Sequence, residues 1–330
     1  MILGADVGGT KSLLEARAGA TRLLQRRYEN DAYPGFDEVL GDFLRELRGT
    51  CLGVIERACV AVAGPIAGTA TSQRATVTNR PGWQLESGAL AQRHGLAQVV
   101  LVNDFAAVAH GLDALAAHER VCLQTGQPVS GGLRLALGPG TGLGVAALID
   151  GRVIPSEGGH LAFAPWDAES LALWRFLGGE RRRVSNEAVI SGAGLLACYR
   201  YCVQATQGVA PDVAAPAIVV KRALEEQDAV ALRALDLFAR CFGSVAGDLA
   251  LAFLPRGGLY LAGGITGRVL PALRGSGFLE RFTAKDVHAG LAGTLPIHAV
   301  LAEDVGLRGA LAVAAARREP VGNGGFDRKN

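Results

Sequence analysis

No stretch of this 330-residue chain approaches the ~18 uninterrupted apolar residues of a membrane span. Lysine is scarce: Lys11, Lys221, Lys285 and Lys329 are the four, and arginine makes up the rest of the 33 basic residues. That bias reads as genome composition rather than chemistry. Neither sign of charge is in excess, with a net charge of +2, so no broad field selects nucleic acid or a charged membrane. The N-terminus shows no basic region followed by an apolar core and a cleavage site. Together these features lead to the expectation of a cytoplasmic protein with neither a membrane nor a nucleic acid as partner. The six cysteines (Cys51, Cys59, Cys122, Cys198, Cys202 and Cys241) form no metal-ligand pattern. Cys198 and Cys202 are spaced i, i+4 without a matching Cys or His pair, so all six are read as reduced, small apolar residues.

Glycine, by contrast, is plentiful at 45 residues, and much of it clusters in tight turns. At roughly 150 residues per domain the length suggests two domains. The organising stretch is Val99-Val100-Leu101-Val102-Asn103-Asp104, a buried strand that delivers an amide and a carboxylate at its carboxyl end. In open α/β sheets ligands bind beyond those ends. Phe105 to Ala109 starts a helix, with Asp104 expected at its N-cap, so Asp104 either only caps or faces a ligand.

The chain opens with strand Ile2–Val7, a Gly8-Gly9-Thr10 turn and a returning strand from Lys11. Such a turn is either an ordinary hairpin or a nest of backbone N–H groups for an anion. Asp6, one residue before the strand ends, favours a phosphate with its Mg²⁺. Apolar residues at helical spacing predict a helix over 36–47, and 58–63 reads as a strand. Residues 78–83 read as a polar turn, followed by a helix over about 86–94. After a strand at 133–137, Gly138-Pro139-Gly140-Thr141-Gly142-Leu143-Gly144 repeats the opening theme, and Asp150-Gly151 signals a hairpin after the strand 145–149. Two such turns facing each other would clasp a polyphosphate. Helices are expected over 168–177, 193–205, 214–226, 229–254, 267–273 and 306–317. Strands are expected at 259–262, ending in a third glycine turn at Gly263-Gly264-Ile265, and at 297–302; the polar tail 319–330 is expected to be disordered.

Pro155-Ser156-Glu157-Gly158-Gly159-His160 sets a carboxylate and an imidazole around two glycines, which let backbone approach a ligand closely. Such a loop suits adjacent hydroxyls, since Glu accepts hydrogen bonds and His both donates and accepts; the alternative is a surface loop. Ser185 to Gly192 supplies Glu187 at a helix start, as a cap, a surface acid or a ligand. The Arg181-Arg182-Arg183 run reads as a solvated face.

Six motifs occur in order: Asp6-Val-Gly-Gly-Thr-Lys11, Leu101-Val-Asn-Asp-Phe105, Gly138-Pro-Gly-Thr-Gly-Leu-Gly144, Glu157-Gly-Gly-His160, Glu187-Ala-Val-Ile-Ser-Gly192 and Leu261-Ala-Gly-Gly-Ile265. The chain resembles the bacterial ATP-dependent glucokinase family, within the actin-like superfamily of sugar kinases, over about residues 1–316. It lacks the Cys-rich zinc motif that usually follows Gly-Gly-His in the related repressor/kinase branch, and so resembles the zinc-free group.

The resemblance implies an α/β protein with the two-domain actin-like (ribonuclease H-like) sugar kinase fold and an interdomain cleft. Its small domain would be 1–114 plus 305–317, its large domain 115–304, with 318–330 as a tail. It implies ATP-dependent phosphorylation of glucose at the 6-hydroxyl, feeding glycolysis, with closure of the domains over the sugar and assembly as a homodimer. Asp104 matches the catalytic base, which also touches the sugar. Asn79, Asn103, Glu157, His160 and Glu187 match sugar ligands. Gly8, Gly9, Thr10 and Lys11, with Gly140 and Thr141, match the phosphate turns; Gly263 and Gly264 match the turn against the nucleoside. Asp6 matches the acid that places Mg²⁺, often through water. Ala188 stands where a basic residue is common, leaving the support of Glu187 open. Two other readings are weighed: a kinase for another hexose or an N-acetylated amino sugar, and a non-enzymatic sugar sensor on a kinase fold.

Overall fold

The structure, a computed structural model, describes residues 1–50, 53–69, 72–208, 213 and 215–316. Cys51, Ala214 and the tail expectation for 318–330 lie outside the described residues. The chain divides into two compact units, Met1–Leu115 with Asp304 onward, and Ala116–Glu303.

The first unit begins as an antiparallel meander, β1 (Ile2–Val7), β2 (Lys11–Ala18) and β3 (Thr21–Glu29). Helix α1 (Phe36–Thr50) follows, and buries Phe36, Val39, Leu40, Phe43, Leu44 and Leu47, the face its spacing predicts. Next comes β4 (Arg57–Val62), then a separate three-stranded sheet of β5 (Ile66–Thr69), β6 (Ser72–Val77) and β7 (Arg80–Glu86). Helix α2 (Ser87–His94), β8 (Val99–Asn103) and α3 (Asp104–Gly111) complete the run. The main sheet has the order β3-β2-β1-β4-β8, with β1, β4 and β8 parallel. Val7 is level with Val62, and Val62 with Asn103, so Asp6 and Asp104 reach the same carboxyl edge.

The C-terminal helix Val305–Ala315 returns to this unit and packs on α3 almost backbone to backbone. A Cβ on Gly309 would lie 1.7 Å from the Ala107 carbonyl oxygen, and one on Gly111 2.1 Å from that of Val305. Glycine is what admits the approach.

The second unit contains β9 (Arg120–Gln124), β10 (Arg134–Pro139), β11 (Leu143–Ile149) and β12 (Arg152–Ser156), then helices α4 (Ala168–Phe176), α5 (Asn186–Val189), α6 (Gly192–Gln207), α7 (Pro216–Leu224) and α8 (Ala229–Phe253). β13 (Gly258–Leu261), α9 (Leu270–Leu273), α10 (Ser276–Thr283), α11 (Ala289–Thr294) and β14 (Ile297–Val300) follow. The sheet order β12-β11-β10-β13-β14-β9 contains the first unit's arrangement, an antiparallel meander with two parallel strands added beside its first strand, and adds β9 at the edge, antiparallel to β14. The core is built around α8, whose Phe238 and Phe242 are fully buried with Phe278 and Phe282 of α10.

Three expectations are corrected. Of 78–83, only Thr78 and Asn79 form the turn; Arg80 onward is strand β7, where Trp83 is buried and Arg80 stacks on its ring. Pro81 is tolerated because β7 is an edge strand. The helix expected over 267–273 is only Leu270–Leu273. Asp104 is not the cap of α3, as described below.

Candidate functional site

In the first unit the candidate residues gather at the carboxyl edge of β1, β4 and β8. Asn103 leaves its strand with φ −64° and ψ 147°, and its Oδ1 accepts from the Phe105 and Ala106 N–H groups at 3.0 and 3.2 Å. Asn103 is therefore the N-cap, which corrects the assignment of that role to Asp104. Its Nδ2 donates to the Gly64 carbonyl at 3.2 Å, leaving one amide hydrogen for a ligand. Asp104 becomes the first helical residue, and its Oδ1 accepts from the Phe105 N–H at 2.9 Å.

Asp6 lies on β1, with β4 between it and β8, under the start of the C-terminal helix. A Cβ on Gly306 would sit 2.6 Å from Asp6 Oδ2, so glycine lets the helix pass over the carboxylate. Loss of hydration, and then the negative charge of Asp104, push the Asp6 carboxyl up to about 7. Two carboxylates held against each other's charge suit a divalent cation. Among the described residues no group of three or more His, Cys, Asp or Glu stands ready to hold a metal. Such a pair fits Mg²⁺, which keeps several waters and takes further oxygens from substrate phosphates.

The Gly8-Gly9-Thr10 turn lies at the end of β1, with Lys11 exposed at the start of β2. Asn79 is exposed in the β6–β7 turn, 3.6 Å from where a Cβ on Gly9 would be. The structure thus puts it beside the turn.

In the second unit the Gly140-Thr141-Gly142 turn follows β10. Gly140 N–H donates to Gly142 O at 2.8 Å, Gly140 O accepts from Gly192 N–H at 3.0 Å, and Thr141 is exposed. The third glycine turn packs on the same segment: Gly263 has φ +98°, and a Cβ there would lie 2.8 Å from Pro139 O. Beside Gly264 the space is open.

Glu157 and His160 are 80% and 60% exposed and point away from the core, with Glu157 Oε2 3.8 Å from His160 Nε2. The glycines between them are buried against the protein itself, so the close backbone approach they allow is to Leu143 and its neighbours. A Cβ on Gly159 would fall 2.1 Å from Leu143 O. Glu187 in α5 is neither a cap nor a loose surface acid. Its Oε2 accepts from the Leu143 N–H at 2.9 Å, and Gly142 leaves no room for a Cβ beside it. Leu143 thus supplies local support for Glu187 although residue 188 is alanine.

Asn186 was not singled out from the sequence. It is buried, its side chain donates to Gly158 O at 3.3 Å, and its backbone N–H donates to Leu161 O at 2.8 Å. Helix α5 thereby ties the Glu157–His160 loop to the segment that Glu187 grips. A short polar helix start carries no periodic signal that could have marked it.

Comparison with known proteins shows the family. The family model described as Glucokinase matches residues 3–317. The glucokinase of Nostoc punctiforme is 34% identical over 347 residues, covering 96% of this chain and 99% of that protein. The crystal structure of a glucokinase from an Antarctic psychrotroph superposes with a TM-score of 0.80 at 30% identity, covering 95% of this chain and 98% of the other. A ROK family glucokinase from Streptomyces griseus, solved in complex with glucose and AMPPNP, has the same fold, with a TM-score of 0.64 at 22% identity over 95% and 98% of the two chains. With its motifs on an actin-like α/β fold, the chain belongs to the glucokinase family and is an enzyme of that class.

Proposed function

We propose that this enzyme transfers the γ-phosphoryl group of ATP to the 6-hydroxyl of glucose, with Asp104 as general base. The observation that carries the reading is the Asp6–Asp104 pair at the carboxyl edge of one sheet, beside a turn whose Gly9 and Thr10 amides have no acceptor among the described residues. Asp104 orients the 6-hydroxyl; as O6 bonds to the γ-phosphorus, the O6–H proton passes to its carboxylate. The bond from the γ-phosphorus to the β,γ-bridging oxygen breaks, and ADP departs with that electron pair. Phosphoryl transfer asks for positioning and charge neutralisation more than covalent help from protein. Mg²⁺, when bound, supplies neutralisation of the phosphate oxygens, and Asp6 is the residue that places it, directly or through water.

Asn79, Asn103, Glu157, His160 and Glu187 are proposed to hold the sugar hydroxyls, so that a missing hydroxyl would leave a polar group unpaired. Gly8, Gly9, Thr10 and Lys11, with Gly140 and Thr141, are proposed to cradle the phosphates, and Gly263 and Gly264 to face the nucleoside. The glucose and AMPPNP complex of the Streptomyces griseus relative supports both substrates. A homodimer working in the cytoplasm and feeding glycolysis completes the proposal.

The test is a coupled assay with ATP and Mg²⁺ against glucose, mannose, fructose and N-acetylglucosamine. Glucose is expected to give the highest kcat/KM by at least ~10-fold, the low end of what a small difference in pocket fit discriminates, and EDTA to abolish turnover. A preference for another sugar would overturn the substrate assignment; turnover in EDTA would overturn the metal's role.

A further inference from the structure

The Gly8–Thr10 turn presents amides because its carbonyls are already taken, and the groups that take them come from distant parts of the chain. Asn30, fully buried just after β3, donates through its side-chain amide to Gly8 O at 2.9 Å. Its backbone N–H donates to Thr10 O at 2.8 Å. Arg80 donates through Nε to Gly9 O while its guanidinium pairs with Asp31. Lys11 O accepts from the Gly8 N–H at 3.0 Å. Every carbonyl from Gly8 to Lys11 thus has an internal donor, whereas the Gly9 and Thr10 amides have no acceptor among the described residues.

That asymmetry matters for an anion. Peptide planes flanked by glycine rotate easily, and a rotated plane would turn a carbonyl oxygen toward a phosphate instead of an N–H. Asn30 opposes the rotation from inside. Its own orientation is set by Ser12, also fully buried, whose hydroxyl donates to Asn30 Oδ1 at 2.8 Å. With Oδ1 engaged there, Nδ2 is the end that faces Gly8.

We propose that Asn30, oriented by Ser12, is a positioning residue for the phosphoryl donor: it holds the turn with carbonyls inward and amides outward, so that the turn recognises the terminal phosphates of a nucleoside triphosphate. This rests on the proposal that the Gly8–Thr10 turn faces the phosphates of ATP. Asn30 touches no substrate, so its replacement acts on the donor and leaves the sugar alone.

The test measures KM for ATP, KM for glucose and Tm in Asn30→Asp, Ser12→Ala and Gly9→Val. Asn30→Asp keeps the shape but replaces the donor facing Gly8 O with an oxygen. It is expected to raise KM for ATP at least ~10-fold, the scale for stranding a buried acceptor, with KM for glucose within twofold of wild type. Ser12→Ala shifts KM for ATP in the same sense but less, and keeps the test open if Asn30→Asp does not fold. Equal rises in both KM values, or a lower Tm with unchanged KM for ATP, would reduce Asn30 to a structural residue. An unchanged KM for ATP in Asn30→Asp beside a raised one in Gly9→Val overturns the role of Asn30 alone. An unchanged KM for ATP in both overturns the placement of the phosphates, and the role of Asn30 with it.

Discussion

Asp6 near the end of β1 and Asp104 just after β8 lie at the same edge of one sheet, with β4 between their strands, and the charge of Asp104 helps to push the Asp6 carboxyl up to about 7. An aspartate that titrates near 3.8 when unfolded and near 7 when folded binds its proton more tightly in the fold. Its contribution to stability is complete below pH ~3.8 and is lost as the pH climbs through 7. At pH 8 the ligand-free protein therefore carries an unfavourable charge at Asp6. Asp6→Asn is expected to raise its Tm at pH 8 by ~2–4 °C, the shift that ~1 kcal/mol produces in a unit of this size. Near pH 4 the gain should vanish, because native Asp6 is already neutral there. Calorimetry at the two pH values checks this, and an equal gain at both would mean that charge is not the cause. From sequence, Asp6 and Asp104 were visible as acids at strand ends; their mutual effect was not, because it depends on the register of β1, β4 and β8.

At the scale of elements, what could be read depended on where the signal lay. Helix α1 has its apolar face written in periodic spacing, and α8 its length and apolar content. The Asp150-Gly151 hairpin was legible too, because both residues take positive φ, at 50° and 71°, as a tight turn of that type asks. Asn103 was misread because Asn and Asp cap equally well, and only the extended conformation at 103 decides between them. Strand β7 was hidden by Pro81 and Gly82, residues that mark turns unless the strand lies at an edge. Asn30 and Asn186 act through contacts far from their neighbours in sequence, which no local pattern reports. The glycines of the α3 and C-terminal helix contact were equally silent. Gly309→Ala would drive a methyl to within 1.7 Å of the Ala107 carbonyl. It is expected to destabilise the chain by ~1–3 kcal/mol, the usual cost of overpacking, read as a lower urea midpoint. An unchanged midpoint would mean that the helices part without cost.

At the scale of the molecule, the two units share an arrangement of strands that the sequence announces only through its glycine turns. Each unit places a turn after the first strand of its meander, at Gly8-Gly9-Thr10 and at Gly140-Thr141-Gly142, although the strands themselves need only to be apolar and so share no residue pattern. The proposed roles draw on residues of both units, and the whole chain is what must be assayed. The most direct measurement compares wild type with Asp104→Asn for turnover of glucose and for calorimetric glucose binding. General-base catalysis by Asp104 predicts that kcat falls by ~10²–10⁴-fold while the glucose Kd stays within a few-fold of wild type. An Asp104→Asn enzyme that turns over glucose at the wild-type rate would contradict the account.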